Sequence, residues 1–219
     1  MNLPDIKFRS LTDQVYEYLS ESIIEGKIEP GEKLVEKDLC QKFSISRSPL
    51  RECFRILEAE GLITINPRKG AYVTGFSRKD VEDVFLVREK LEGLAAKLAI
   101  RNLTEKDVTA LDDLIIKMDE AIKKRETKSF LQLNDLFHNI FIKASNNEIL
   151  EKTLKSLAKG IWFRIPFLYF QSPSALDLSN SKHKEIVEAF KKKDPVSVER
   201  SVEEHMEHSR NHLLSSLPV

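Results

Sequence analysis

Apolar residues recur at helical spacing in the first quarter of the chain and are interrupted by short turns. The first such run ends at Gly26, which predicts a first helix from about Leu11. A second, short helix is predicted from Glu36 to Phe43. A third should begin after the serine-containing break at Ser44–Ser46, because Pro49 is tolerated in a first helical turn, and should end near Gly61.

The stretch after the third helix changes to a strand pattern. Two short β-branched segments, 62–65 and 71–74, flank the turn-rich sequence Asn66-Pro67-Arg68-Lys69-Gly70, which predicts a small β-hairpin with a basic tip. Three helices followed by such a hairpin predict a winged helix-turn-helix over residues 1–76.

The remainder of the chain, residues 77–219, carries helical periodicity without a strand signal. Ser77 and Thr104 each precede an aspartate by three residues, which is typical of a capping box at a helix start. After the helix that starts near Ser77, further helices are predicted at about 108–125, 128–145, 148–170, 179–193 and 195–214. We therefore expect a mainly α protein, with the winged helix-turn-helix followed by an all-helical bundle of about six helices.

Composition limits the cellular setting. No apolar run approaches the roughly 20 residues that span a bilayer, and the first ten residues lack the apolar core of a signal peptide, so we expect a cytoplasmic protein without a membrane partner. The two cysteines, Cys40 and Cys53, lack CxxC spacing and fall at apolar helix positions, which favours reduced core thiols.

The basic and acidic side chains total 35 each, yet they are unevenly distributed. Residues 1–40 carry five basic and nine acidic side chains, whereas residues 41–70 carry six and three. On the third helix, Leu50, Cys53, Phe54 and Leu57 share one face. The neighbouring face carries arginine and serine, a pattern that suits base and phosphate contacts in a major groove. The alternative is an ordinary solvated helix face.

Four motifs in order resemble the GntR family of bacterial transcription regulators: residues 28–34 (IEPGEKL), 46–52 (SRSPLRE), 60–63 (EGLI) and 67–73 (PRKGAYV). By that resemblance, Arg47 and Arg51 would contact bases or adjacent phosphates, and Gly70 would let the wing approach the minor groove. The other DNA-binding residues would be Lys37, Ser46, Ser48, Arg68 and Lys69.

The helical region resembles the FadR-like subgroup of that family, which carries an FCD ligand-binding domain. The resemblance lies in residues 131–146 (LQLNDLFHNIFIKASN), 183–190 (HKEIVEAF) and 203–205 (EEH). In the subgroup these positions bind a divalent metal, which implies Asn134, His138, His183 and His205 as ligands here. Three imidazoles suit zinc or nickel. Asn134 departs from the pattern, because metal-binding members commonly have aspartate there and an amide oxygen is a weaker donor.

Arg88 is the candidate effector-binding residue, because the subgroup often uses an arginine in this helix to hold an organic acid. A guanidinium beside a metal would clamp a carboxylate at two points. The alternative is an i,i+4 ion pair with Glu92 on the same helix.

These features predict a homodimeric, ligand-responsive regulator that binds a pseudo-palindromic operator, as a repressor or an activator, with a carboxylate-bearing small-molecule effector. One alternative is a metal-dependent enzyme with its site in the bundle. We do not expect an enzyme, since nucleophile-elbow, HExxH, Walker and Rossmann motifs are missing. A sequence-independent architectural DNA binder is the other alternative, which the compact basic surface disfavours.

Overall fold

The computed structural model describes residues 10–157 and 173–217. Within this part of the chain the backbone forms two compact units, one before Ser77 and one from Ser77 onward. The second half of the helix predicted at 148–170, with its aromatic stretch 161–170, lies outside the described residues. In the part of the chain that the structure covers, we find no helix both long and apolar enough to cross a membrane.

The first unit contains the three predicted helices. Helix α1 (Leu11–Ile24) starts with a capping box between Ser10 and Asp13. Helix α2 (Glu36–Phe43) ends at Ser44, whose left-handed backbone (φ 53°) turns the chain toward the next helix. Helix α3 (Arg47–Ala59) has Ser46 as its N-cap residue, although the Ser46 side chain makes no capping hydrogen bond.

The small sheet has three antiparallel strands rather than the two of a simple hairpin. The predicted hairpin is present as β2 (Ile63–Asn66) and β3 (Gly70–Val73). A further strand, β1 (Lys33–Leu34), pairs with β3, so that the strand order is β1-β3-β2. Two residues are too few to show the alternation of apolar and polar positions that identifies a strand in sequence, so the sequence pattern does not predict β1.

The core of the first unit lies beneath α3. Leu50, Cys53, Phe54 and Leu57 are all buried, which confirms the inward face predicted for this helix. They pack in one cluster with apolar residues of α1 and the sheet. Both cysteines are free thiols; Cys53 is buried and Cys40 is partly buried.

The second unit is a helical bundle. Its helices among the described residues are α4 (Arg78–Ala99), α5 (Glu105–Lys123), α6 (Thr127–Ala144), α7 (Glu148–Leu157), α8 (Pro173–Lys191) and α9 (Pro195–Ser216). Both predicted capping boxes are present, Ser77 with Asp80 and Thr104 with Asp107. Helix α8 starts at Pro173, earlier than the predicted residue 179, and proline is tolerated in the first turn of a helix.

Helices α4 and α9 approach each other closely at Gly93. A Cβ atom at this position would lie 2.9 Å from Cγ of Glu203 and 3.4 Å from the carbonyl oxygen of Glu199, both on α9. The same pair of helices is joined by an ion pair between Arg210 and Glu89, with both side chains 12% exposed. Close backbone approach at a glycine therefore brings two long helices of the bundle together.

We expect Gly93→Val to destabilise the helical unit by about 1–3 kcal/mol, because the added methyl groups overpack the α4–α9 contact. The check is the urea unfolding midpoint followed by circular dichroism. Glu82→Val places the same side chain at an exposed position of α4 and should shift the midpoint little. An equal shift in both variants would contradict the close-packing explanation.

Candidate DNA-binding surface and metal centre

The outer face of α3 presents polar side chains to solvent. Arg47, Ser48 and Arg51 are exposed, while Leu50 and Phe54 on the same helix are buried. A helix with this arrangement can place guanidinium groups and hydroxyls in a major groove while its apolar side stays in the core. The other predicted contacts, Lys37, Ser46, Arg68 and Lys69, are exposed as well, and Gly70 is half-buried.

The wing tip has a well-defined turn. Arg68 (φ 65°) and Gly70 (φ 106°) both have positive φ, and the φ of Gly70 is one that side-chain-bearing residues rarely adopt. The hydroxyl of Tyr72 donates a hydrogen bond to the carbonyl oxygen of Lys69 at 3.1 Å. The ammonium group of Lys33 lies 5.6 Å from the Tyr72 ring centroid. The Tyr72 hydrogen bond fixes the backbone of the tip, where Arg68 and Lys69 stand in sequence beside a glycine that leaves room for a close approach.

Arg51 is held by the acidic residue Glu36, which no sequence motif indicates as its partner. Its Nε lies 3.0 Å from Oε1 of Glu36, and its Nη2 lies 3.0 Å from Oε2, which is a bidentate ion pair between α3 and α2. Together these two residues line a groove with Arg55 and Arg68. No helical spacing rule links residues 15 positions apart on different helices, so the sequence carried no signal for this pair.

Three histidines meet in the interior of the second unit. His138 on α6, His183 on α8 and His205 on α9 are all buried, and one ring nitrogen from each lies within 4.8 Å of the others. The ring centroids of His183 and His205 are 4.5 Å apart, and those of His138 and His205 are 5.2 Å apart. The bundle thus brings together the three imidazoles that the sequence singled out from three separate helices.

The electrostatics of the cluster favour neutral imidazoles with available lone pairs. Burial, followed by the neighbouring imidazoles, lowers the pKa of His183 and His205 well below the ordinary histidine value. His183 Nε2 and His205 Nδ1 are buried and find no hydrogen-bond partner among the described residues. Neutral imidazole is the form that ligates transition metals, and a metal would satisfy these buried nitrogens, so the donor set fits a zinc- or nickel-type ion.

His138 is oriented by a carboxylate. Glu92 on α4 is fully buried, and its Oε2 lies 2.6 Å from Nδ1 of His138. Burial opposes ionisation of Glu92, but Arg88 and then His138 outweigh it and lower the pKa of Glu92 to about 2. An ionised carboxylate can only accept, so Nδ1 of His138 donates the proton in this hydrogen bond, and Nε2 is the ring nitrogen that a metal would use.

Arg88 forms the i,i+4 ion pair with Glu92 that is the alternative to an effector-binding role. Arg88 is buried, and its Nη2 lies 2.5 Å from Oε1 of Glu92. The effector-binding role of Arg88 stays a prediction. Asn134, four residues before His138 on α6, is half-buried, and its role as a ligand likewise stays a prediction.

Comparisons with known proteins agree with this division of the chain. Residues 11–73 match the model described as bacterial regulatory proteins, gntR family, and residues 83–208 match the FCD domain. The chain is 31% identical over 201 residues to the transcriptional regulator YdhC of Bacillus subtilis (strain 168), covering 91% of this chain and 89% of YdhC. It is 29% identical over 197 residues to the transcriptional repressor RspR of Escherichia coli (strain K12), covering 90% and 86%.

Solved structures show the same fold. The structure described as E. coli McbR/YncC matches with a TM-score of 0.74 and 25% identity, over 95% of this chain and 99% of that one. The metal-free FCD domain of TM0439 matches with a TM-score of 0.51 and 21% identity, over 65% of this chain and 96% of that one, which speaks for the fold alone.

These matches define a transcription regulator rather than an enzyme. The chain belongs to the GntR family, in the FadR-like group that carries a C-terminal FCD domain. The resemblance seen in its sequence motifs is thereby confirmed.

We expect Glu92→Gln to destabilise the helical unit by about 3–5 kcal/mol, because Arg88 loses its buried carboxylate partner while the side-chain shape is kept. Asp83→Asn is the matched control. Asp83 forms the corresponding i,i+4 pair with Lys79 on the exposed side of α4, where water screens the charges and loss of the pair should change stability little. Thermal and urea unfolding of the two variants measure the difference, and equal losses would count against a buried ion pair at Glu92.

Proposed function

We propose that the protein is a ligand-responsive transcription regulator that binds a pseudo-palindromic operator as a homodimer and responds to a small organic acid bound near a metal. The observation that carries the proposal is a pairing of two features in one chain. A recognition helix exposes Arg47 and Arg51 over a buried apolar face, and a separate helical unit buries three imidazoles, two of which have a ring nitrogen without a hydrogen-bond partner among the described residues.

In DNA binding, Arg47 and Arg51 are the base-reading candidates. A guanidinium fork can bind O6 and N7 of guanine, whereas hydroxyls and lysines serve phosphates. Ser46 and Ser48 at the start of α3 are placed for the DNA backbone, and Lys37 on α2 for a further phosphate. In the wing, Arg68 and Lys69 supply charge and Gly70 lets the tip enter the minor groove.

A second copy of the chain is the partner that such an operator requires, since each half-site takes one recognition helix. Helix α4 supports self-association by its pattern of apolar residues. Val84, Val87, Leu91, Leu94 and Leu98 alternate at three- and four-residue spacing, as in a coiled-coil seam. Val87 and Leu94 are substantially exposed on this helix, so the seam is available to a second α4.

In the helical unit, His138, His183 and His205 would hold the metal, with the amide oxygen of Asn134 as a fourth donor. The bound ion would act as a Lewis acid that anchors a carboxylate of the effector at an open coordination position. Arg88, which reaches the cluster through Glu92, is the candidate second contact for an acidic effector. The effector changes DNA binding only if it binds the DNA-competent and the DNA-incompetent arrangement with different affinities. The coupling free energy is typically about 1–3 kcal/mol.

We expect Arg47→Ala and Arg51→Ala each to weaken operator binding by about 1–3 kcal/mol without unfolding the protein. Fluorescence anisotropy with an operator selected by genomic footprinting measures the loss. Arg101→Ala, at an exposed position beyond α4, is the control and should leave the affinity unchanged. Equal affinity of the wild type for operator and scrambled DNA would contradict base reading.

We expect the double variant His183→Ala/His205→Ala to lose bound metal, because it removes two of the three imidazole ligands. Elemental analysis after loading with zinc or nickel measures the stoichiometry. His208→Ala removes a half-buried imidazole from the same helix as His205 and should retain the metal. A wild type that takes up no stoichiometric zinc or nickel would remove the metal from the proposal and leave the DNA-binding function intact.

A further inference from the structure

Asn180 is a fully buried amide that bridges the histidine cluster and helix α5. Its Nδ2 donates to the carbonyl oxygen of Ile115 at 3.1 Å and to Oδ1 of Asp119 at 2.6 Å. Its Oδ1 lies 3.3 Å from Nδ1 of His183, one turn further along α8. A buried side chain with all of its polar ends engaged has a defined orientation.

The chemistry of these partners determines which way the amide faces. A backbone carbonyl and a carboxylate are both acceptors, so the NH2 group of Asn180 must face α5 and its oxygen must face His183. Asp119 is kept in place by Lys184 at 2.9 Å from its other oxygen. With the amide reversed, its oxygen would face the carbonyl oxygen of Ile115 and the carboxylate of Asp119, so that three acceptors would meet without a donor. Burial makes that arrangement unfavourable.

The same reasoning extends to the His183 ring. The amide oxygen accepts and cannot donate, so Nδ1 of His183 carries the proton and Nε2 carries the lone pair. On another side the ring packs against Phe137, with ring centroids 4.5 Å apart, and this contact limits ring rotation. The buried Nε2, without a hydrogen-bond partner among the described residues, is left as the free donor atom.

We propose that Asn180 is a positioning residue of the metal centre: fixed by Ile115 and Asp119 of α5, it holds His183 as the Nδ1–H tautomer with Nε2 ready to bind the ion. The inference rests on the proposed metal site and deepens it. Helix α5 contributes no ligand to the histidine cluster, yet through Asn180 it sets the orientation of one ligand, His183. Groups that orient metal-bound histidines in this way typically account for about 10- to 100-fold in metal affinity.

The tautomer can be tested in the metal-free protein. Long-range 1H–15N correlation spectra distinguish Nδ1–H from Nε2–H imidazoles, and the signal of His183 is assigned from its absence in His183→Gln. We expect the wild type to show the Nδ1–H form at His183 and Asn180→Ala to show a mixture or the other tautomer. A wild type with Nε2–H at His183 overturns the inference.

Metal affinity supplies the second readout. Competition of the protein with a chromophoric chelator for Zn²⁺ should give about 10- to 100-fold weaker binding for Asn180→Ala. Asn211→Ala, at an exposed position of α9, is the matched control and should bind Zn²⁺ like the wild type. Unchanged affinity in Asn180→Ala contradicts a positioning role.

A pair of surface variants tests the connection to α5 even if Asn180→Ala fails to fold. Asp119 and Asp112 lie two turns apart on α5, and each pairs with a lysine of α8 at the surface, Lys184 and Lys191 respectively. Only Asp119 also accepts from Asn180. We expect Asp119→Ala to weaken Zn²⁺ binding by about two- to tenfold, the effect of one hydrogen bond, and Asp112→Ala to leave it unchanged. Equal Zn²⁺ affinities in these two variants overturn the inference.

Failure of this inference is distinguishable from failure of the metal site. A wild type that binds neither Zn²⁺ nor Ni²⁺ ends the metal proposal, while the His183 tautomer in the metal-free protein still decides the role of Asn180. If the wild type binds Zn²⁺ no more tightly than Asn180→Ala and Asp119→Ala do, the metal site stands and the positioning role of Asn180 is contradicted.

Discussion

The helical unit is organised around the burial of three imidazoles, of which His183 and His205 have a pKa held well below the ordinary histidine value. An unpartnered ring nitrogen inside a protein costs free energy, and an imidazolium there would cost more. Glu92 provides a partner for one nitrogen of His138, and Arg88 offsets the charge of Glu92, so a buried anion and a buried cation lie beside the cluster. The ring nitrogens of His183 and His205 that have no hydrogen-bond partner among the described residues are the feature that makes this interior more than an apolar core.

The elements with local chemical signals were predictable from sequence. The capping boxes at Ser77 and Thr104 mark real helix starts, because each depends on residues only three positions apart. The two faces of α3 were predictable for the same reason, since the helical period decides which residues lie together. The three histidines were identified by resemblance to a family, and the bundle then brings their rings together.

What the sequence did not reveal depends on pairing across long separations. Strand β1 exists because it pairs with β3 almost 40 residues later, and its own two residues carry no pattern. The role of Glu36 depends on the packing of α2, which holds its carboxylate against Arg51. The role of Asn180 depends on α5, which supplies acceptors for its amide. Such partners follow from tertiary packing, for which no local spacing rule is available.

In the proposed mode of DNA binding, the carboxylate of Glu36 would affect discrimination among DNA sequences. It places a negative charge beside the arginine that would enter a groove lined by phosphates, so non-specific attraction to the DNA backbone is reduced at that position. A base pair that offers acceptors to Arg51 compensates for the repulsion, whereas one without acceptors does not. Selectivity at this position would then arise partly from the rejection of wrong sites and not solely from attraction to the right one.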